Sequence, residues 1–349
     1  MSFTLEQLLE KSLLGNGPHA LSVDDADAAS NEPVLKLVRD PRPARARSAQ
    51  RRLRVVARSD RFIDAVFESE PGALGYRLYP PIARASGATS LVVMLHGAGQ
   101  DHVDFARGTR MHEHPDAADA FVLYPAQSAD VPARCWNWFR DSDQTRGRGE
   151  PAMLAALTRH IVAEHDISPR RIYVAGLSAG AAMAVVLGQA YPELYAAVGA
   201  HSGLPHGVAS DMYAALDVMA RGPSALTSSR RGGAAVPTIV FHGDADTTVH
   251  PANAGAIVAD ALDCCVDHAT TEPVSETRAG GIGARVHTAT LFPDAKGRTR
   301  VEQWIVHDAG HAWSGGSPDG SHTDPAGPDA TGEMLRFFGS HRLEPRCAA

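Results

Sequence analysis

Gly176-Leu177-Ser178-Ala179-Gly180 stands between two runs of opposite character. Before it, Arg171-Ile172-Tyr173-Val174-Ala175 is short, apolar and β-branched, and reads as a buried parallel strand. After it, Ala181-Ala182-Met183-Ala184-Val185-Val186-Leu187 is a helix-forming run. A strand, a sharp Gly-x-Ser-x-Gly turn and a helix therefore follow one another directly. Such a turn brings backbones close together, so the serine must be flanked by small residues, here Gly176, Ala179 and Gly180. It also holds the serine up at a helix N-terminus, where free N–H groups can bind an oxygen that gains negative charge. The pattern predicts Ser178 as a nucleophile, with the N–H of Ala179 as one donor to that oxygen.

The composition sets outer bounds. A chain of 349 residues can bury a large core, and one α/β domain with an N-terminal appendage fits the length. Hydrophobic residues make up 44% and charged residues 21%, as in globular proteins. The net charge of −7 argues against nucleic acid as a partner. Four irregularly placed cysteines form neither a disulfide scaffold nor a CxxC zinc site. No histidines pair with carboxylates at ligand spacing on one helix, so neither a metal nor a cofactor is expected. The N-terminus shows no basic segment leading into an apolar one, and no apolar run reaches membrane-spanning length; the expectation is a cytoplasmic protein with no transmembrane segment.

Residues 3–14 carry leucines at helical spacing, and Thr4 with Gln7 resembles a capping box. The following stretch to residue 60 is rich in Ala, Asp, Pro and Arg, and reads as a mobile linker. The expected division is therefore an N-terminal extension over 1–60 and a catalytic domain over 61–343. Within that domain, 62–68 and 74–79 read as antiparallel opening strands. Buried strands follow at 90–95, 120–125, 172–175, 196–200, 238–241 and 301–306. Helices are predicted over 150–165 and 331–339. Strands and helices alternating at this spacing mean a mostly parallel sheet with helices on both faces.

A serine at neutral pH needs a histidine base, itself oriented by a carboxylate. After the strand 238–241 comes His242-Gly243-Asp244-Ala245-Asp246-Thr247-Thr248-Val249. Asp246 lies further beyond the strand, where the loop turns back, and is the expected orienting group; Asp244 is assigned to the turn or a cap. The strand ending at Val306 leads into His307-Asp308-Ala309-Gly310-His311-Ala312-Trp313. Gly310 lets the loop bend so that His311 can hang over the sheet, and His311 is the expected base. His307 abuts the strand and is read as structural. A second oxyanion donor is expected from His96-Gly97-Ala98-Gly99, at the N–H of Ala98.

These blocks, with Cys135-Trp136-Asn137-Trp138-Phe139, Arg146-Gly147-Arg148-Gly149-Glu150, His201-Ser202-Gly203 and Gly310-His311-Ala312-Trp313, resemble the poly(3-hydroxybutyrate) depolymerase family of esterases over roughly residues 61–340. The resemblance implies an α/β-hydrolase fold, a triad of Ser178, Asp246 and His311, and a polyester or small ester as substrate, with a polymer granule as a possible surface partner. That family often has Cys where this chain has Ala98, so a family-like disulfide at Cys135 is not expected. Trp136, Asn137, Trp138, Ser202 and Trp313 are the candidate substrate-binding residues, the indoles offering flat apolar surface to an aliphatic chain. Feruloyl or acetylxylan ester hydrolysis is the alternative reaction. An acyltransferase and a non-catalytic binding module on the same scaffold are the further rivals.

Overall fold

The computed structural model describes residues 52–59, 61–69, 72–82, 89–224, 236–263, 272–279 and 283–344, and for 52–59 the backbone alone. The predicted helix at 3–14 and the predicted linker of 15–60 as far as residue 51 lie outside the described residues. The expected boundary at residue 61 cuts through the sheet, because a strand already runs over Arg52–Ser59 (β1) and pairs antiparallel with Phe62–Ser69 (β2).

Next come Gly72–Tyr79 (β3), Ser90–Leu95 (β4), Ala120–Ala126 (β5), Ile172–Leu177 (β6), Ala197–His201 (β7) and Thr238–Gly243 (β8). Val274–Arg278 (β9), His287–Pro293 (β10) and Thr299–Val306 (β11) complete one eleven-stranded sheet. Its order is β1-β2-β3-β5-β4-β6-β7-β8-β11-β10-β9. The six strands from β5 to β11 in that order are parallel, and the strands beyond them on either side pair antiparallel. Two short strands, Trp313–Ser314 (β12) and Thr323–Asp324 (β13), form a separate parallel pair.

The central strands are continuous apolar runs because both of their faces are covered. In β4, Leu91, Val93 and Leu95 enter the core on one face while Val92 and Met94 enter the core on the other. In β6, Ile172 and Val174 take the first face; Tyr173, Ala175 and Leu177 take the second. This is the period-two alternation of a strand between two layers. The first core is closed by Gly149–Glu164 (α2), Ala179–Ala190 (α3) and Ala252–Asp263 (α5). The second is closed by His102–Thr109 (α1) and Ala330–Gly339 (α6). A further helix, Met212–Arg221 (α4), lays Ala215 and Val218 on the first core. Every strand expected from the sequence is present. Helices α1, α4 and α5 and the β9–β10 hairpin were not anticipated; the five residues of β9 are all exposed and carry no apolar alternation.

The order also fixes where a crevice can open. From β4 the chain crosses to β5 on one side, whereas from β6 it continues to β7 on the other. Connections leaving adjacent strands β4 and β6 thus diverge, and such a switch point is where open α/β sheets bind ligands, beyond the carboxyl ends of the strands. Ser178 follows β6 there, and His96-Gly97-Ala98 follows β4.

Candidate active site

Ser178 adopts φ 56°, ψ −120°, a left-handed conformation that costs a non-glycine residue about 1–3 kcal/mol. The surroundings enforce it. Helix α3 begins at Ala179, the Ser178 carbonyl accepts from Ala182 N–H at 2.9 Å, and Ser178 N–H donates to the His201 carbonyl at 2.9 Å. Gly176 and Gly180 make room: a Cβ on Gly180 would run into the carbonyls of Leu95 and His96, and one on Gly176 into the Gly180 backbone. The loop after β4 abuts the serine, since a Cβ on Gly97 would lie 3.6 Å from Ser178 Cβ.

Asp246 and His311 come together from loops 65 positions apart in sequence. His311 Nδ1 lies 2.7 Å from Asp246 Oδ2. The other carboxylate oxygen accepts the N–H groups of Thr248 and Val249, each at 2.9 Å. Burial opposes ionisation of Asp246, but hydrogen bonds from His242 and His311 and the backbone donors outweigh it and hold the carboxyl well below the usual range. Asp246 is thus an anion presented to an imidazole, which fixes the proton on His311 Nδ1 and leaves Nε2 as the basic nitrogen. The rival pair forms as well: His307 Nδ1 lies 2.8 Å from Asp244 Oδ2, and Asp244 Oδ1 accepts Asp308 N–H at 2.7 Å. Thr288 Oγ1 occupies the far side of His307 at 2.9 Å, so this imidazole has both nitrogens engaged within the sheet end.

Two buried histidines that sequence reasoning passed over complete the surroundings. His242 Nε2 lies 2.9 Å from the Val249 carbonyl and 3.3 Å from Asp246 Oδ2. His201 joins the two halves of the site: its carbonyl takes Ser178 N–H, and its ring Nε2 accepts Ser314 N–H at 3.0 Å, three residues beyond His311. Its ring stacks on Phe241 and Trp313, and burial pushes its pKa down to about 3. Nothing in the local sequence distinguishes these two from other histidines beside strands. Their roles depend on partners far away in the chain.

The substrate-binding residues require correction. Trp136 and Trp313 are fully buried and Trp138 nearly so. Trp136 donates Nε1–H to the His96 carbonyl at 3.0 Å, and Trp313 donates to Thr331 Oγ1 at 3.1 Å. Trp138 packs edge-on against Phe139. An apolar ring whose single donor finds a buried acceptor is more stable inside than on a groove wall. Ser202 is also fully buried, and the half-buried Asn137 gives its side-chain amide and backbone N–H to Glu150. Trp136 underlies the loop after β4, and all three indoles are core side chains. Trp136→Ala is accordingly expected to destabilise the fold by about 3–5 kcal/mol. Urea unfolding would read the loss, and relative rates on short and long esters should stay as in the parent.

A strained serine at a helix N-terminus and a histidine–aspartate pair, all at the carboxyl ends of a parallel sheet, define an α/β-hydrolase. The fold is shared with the acetyl xylan esterase from Aspergillus awamori, at a TM-score of 0.57 and 18% identity over 76% of this chain and 94% of that one. The family model described as "Esterase PHB depolymerase" matches residues 74–282, and the chain belongs to that family. It is 32% identical over 257 residues to poly(3-hydroxyalkanoate) depolymerase C of Paucimonas lemoignei, and 26% identical over 206 residues to acetylxylan esterase A of Emericella nidulans. These matches cover 70% and 54% of this chain, and 60% and 66% of the relatives' own lengths. Among the described residues, no helix is long and apolar enough to cross a membrane.

Proposed function

We propose that the protein is a serine carboxylic-ester hydrolase whose substrate is poly(3-hydroxybutyrate) or its oligomers. The observation that carries the reading is the 2.7 Å contact between His311 Nδ1 and the buried Asp246 carboxylate, at the same sheet end as the strained Ser178 turn. In this reading Ser178 Oγ attacks the ester carbonyl as His311 Nε2 takes its proton. The N–H groups of Ala179 and Ala98 bind the oxyanion, and the carbonyl re-forms with loss of the alcohol, which takes the proton from His311. Water then repeats the sequence on the acyl-enzyme and releases the acid. Asp246 stays ionised and holds the imidazole in the productive tautomer.

The polyester is favoured by the family match and by the depolymerase relative. The acetylxylan esterase relative supports the second reading, a hydrolase of polysaccharide esters. Product analysis on amorphous poly(3-hydroxybutyrate), beside acetylated xylan and a feruloyl ester, separates the two. The polyester reading expects release of 3-hydroxybutyrate or its short oligomers, at a kcat/KM at least about tenfold above that for either plant ester. Acetate or ferulate as the dominant product would overturn it. Added alcohol tests the acyltransferase rival, which expects transfer to outcompete hydrolysis.

A further inference from the structure

Whether a backbone N–H can serve an oxyanion depends on the orientation of its peptide plane, and the loop after β4 is held in an unusual way. Both poles of the His96–Gly97 peptide are bound by side chains. The His96 carbonyl accepts the Trp136 indole N–H, and Gly97 N–H donates to Gln100 Oε1 at 3.0 Å. The next peptide, Gly97–Ala98, is anchored at its carbonyl. There Gln100 N–H donates at 3.2 Å, and His96 Nδ1 lies 2.9 Å away. His96 Nε2 accepts Gln127 N–H at 3.1 Å, so in the neutral ring the proton sits on Nδ1 and is given to Gly97. Burial pushes His96 down to about 4, so this neutral form is the one present at pH 7. Gly99 N–H is taken by the Ala133 carbonyl at 2.6 Å. In a trans peptide the N–H points opposite to the C=O. With the Gly97 carbonyl fastened inward, the Ala98 N–H is directed the other way.

Gln100 is buried and uses its remaining donors at a distance. Its Nε2 lies 2.9 Å from Asp104 Oδ2 in the first turn of α1, and 3.0 Å and 3.2 Å from the carbonyl and hydroxyl of Ser321. Asp104 in turn accepts Ser321 N–H at 2.9 Å. Ser321 precedes His322, whose carbonyl accepts Trp313 N–H at 2.7 Å, two residues beyond His311. One amide side chain thus joins the loop after β4 to the segment that follows the expected base.

We propose that Gln100 is a positioning residue: its side chain fixes the His96–Gly97 peptide, which together with the His96 ring on the Gly97 carbonyl sets the Gly97–Ala98 peptide so that Ala98 N–H meets the oxyanion, and it ties this loop to the His311 segment through Ser321. The inference rests on the serine-hydrolase reading above. An oxyanion contact forms fully only in the transition state, so a misdirected donor lowers kcat and leaves KM nearly unchanged. A fold residue would instead lower the number of competent sites.

The test uses the full chain with Gln100→Met, which fills the space without hydrogen bonds, and Gln100→Asn, which is polar but one methylene too short. Sites are counted by stoichiometric organophosphate labelling, and kcat is expressed per labelled site. Both variants are expected to lose about 10–100-fold in kcat per site on a p-nitrophenyl ester, with KM within about twofold of the parent. The proposal is overturned if kcat per site stays within twofold, or if activity falls only in step with the labelled fraction. Failure of both variants to accumulate as folded protein would equally mark Gln100 as a fold residue. A parent protein that takes up no inhibitor at Ser178 overturns the hydrolase reading, and the positioning role with it. A parent that labels normally beside unaffected variants overturns the positioning role alone.

Discussion

Ser178→Ala is expected to lower kcat/KM on every ester by at least about 10⁴-fold and to abolish organophosphate labelling, because an acyl transfer routed through the hydroxyl has no substitute for it. The geometry adds a second expectation about stability. Ser178 is held at φ 56° by its place between β6 and α3. Glycine takes such a conformation without steric cost, and alanine does not. Ser178→Gly should therefore be as inactive as Ser178→Ala yet more stable than it by about 1 kcal/mol in urea titration. Residual activity within a hundredfold of the parent would remove Ser178 from the mechanism. An alanine variant as stable as the glycine variant would show that the turn stores no strain.

Asp246→Asn should cost about 10⁴-fold in kcat, whereas Asp244→Asn should change it by no more than about threefold. Both aspartates face a histidine, at 2.7 Å and 2.8 Å, so contact distance alone does not separate them. Their settings do. The Asp246 side chain is fully buried, its second oxygen is locked by two backbone N–H groups, and its imidazole is engaged through Nδ1. An asparagine there would turn either an amide N–H toward His311 Nδ1–H or its oxygen away from the loop, and the imidazole would shift tautomer or move. Asp244 is 41% exposed, and its partner His307 is already held by Thr288 on the far side. Steady-state rates of the two variants side by side decide the matter. Equal losses would mean that the His307 pair contributes to the reaction.

Sequence alone carried the central architecture because the information there is local. Runs such as Leu91–Leu95 and Ile172–Val174 are apolar at every position, which only a strand covered on both faces requires. Gly176, Ser178 and Gly180 are a backbone constraint written in adjacent residues. The choice of Asp246 and His311 over their neighbours rested on loop position; both aspartates pair with a histidine, and the burial of Asp246 against the exposure of Asp244 is what tertiary structure adds. β9 escaped notice because an exposed edge strand buries nothing and leaves no alternation to read.

Tertiary structure alone decided what the aromatic block and the buried polar residues do. Trp136 and Trp313 could have faced a cleft or the core, and the sequence holds no mark of which. The buried acceptors that fix them belong to His96 and Thr331, 40 and 18 positions away. The same holds for His201, which serves Ser178 through its carbonyl and Ser314 through its ring. It holds most of all for Gln100, whose amide reaches 221 positions along the chain to Ser321. A hydrogen bond needs a partner within about 3 Å and a set direction. Only the folded sheet, by bringing the ends of β4, β6, β7, β8 and β11 side by side, supplies both.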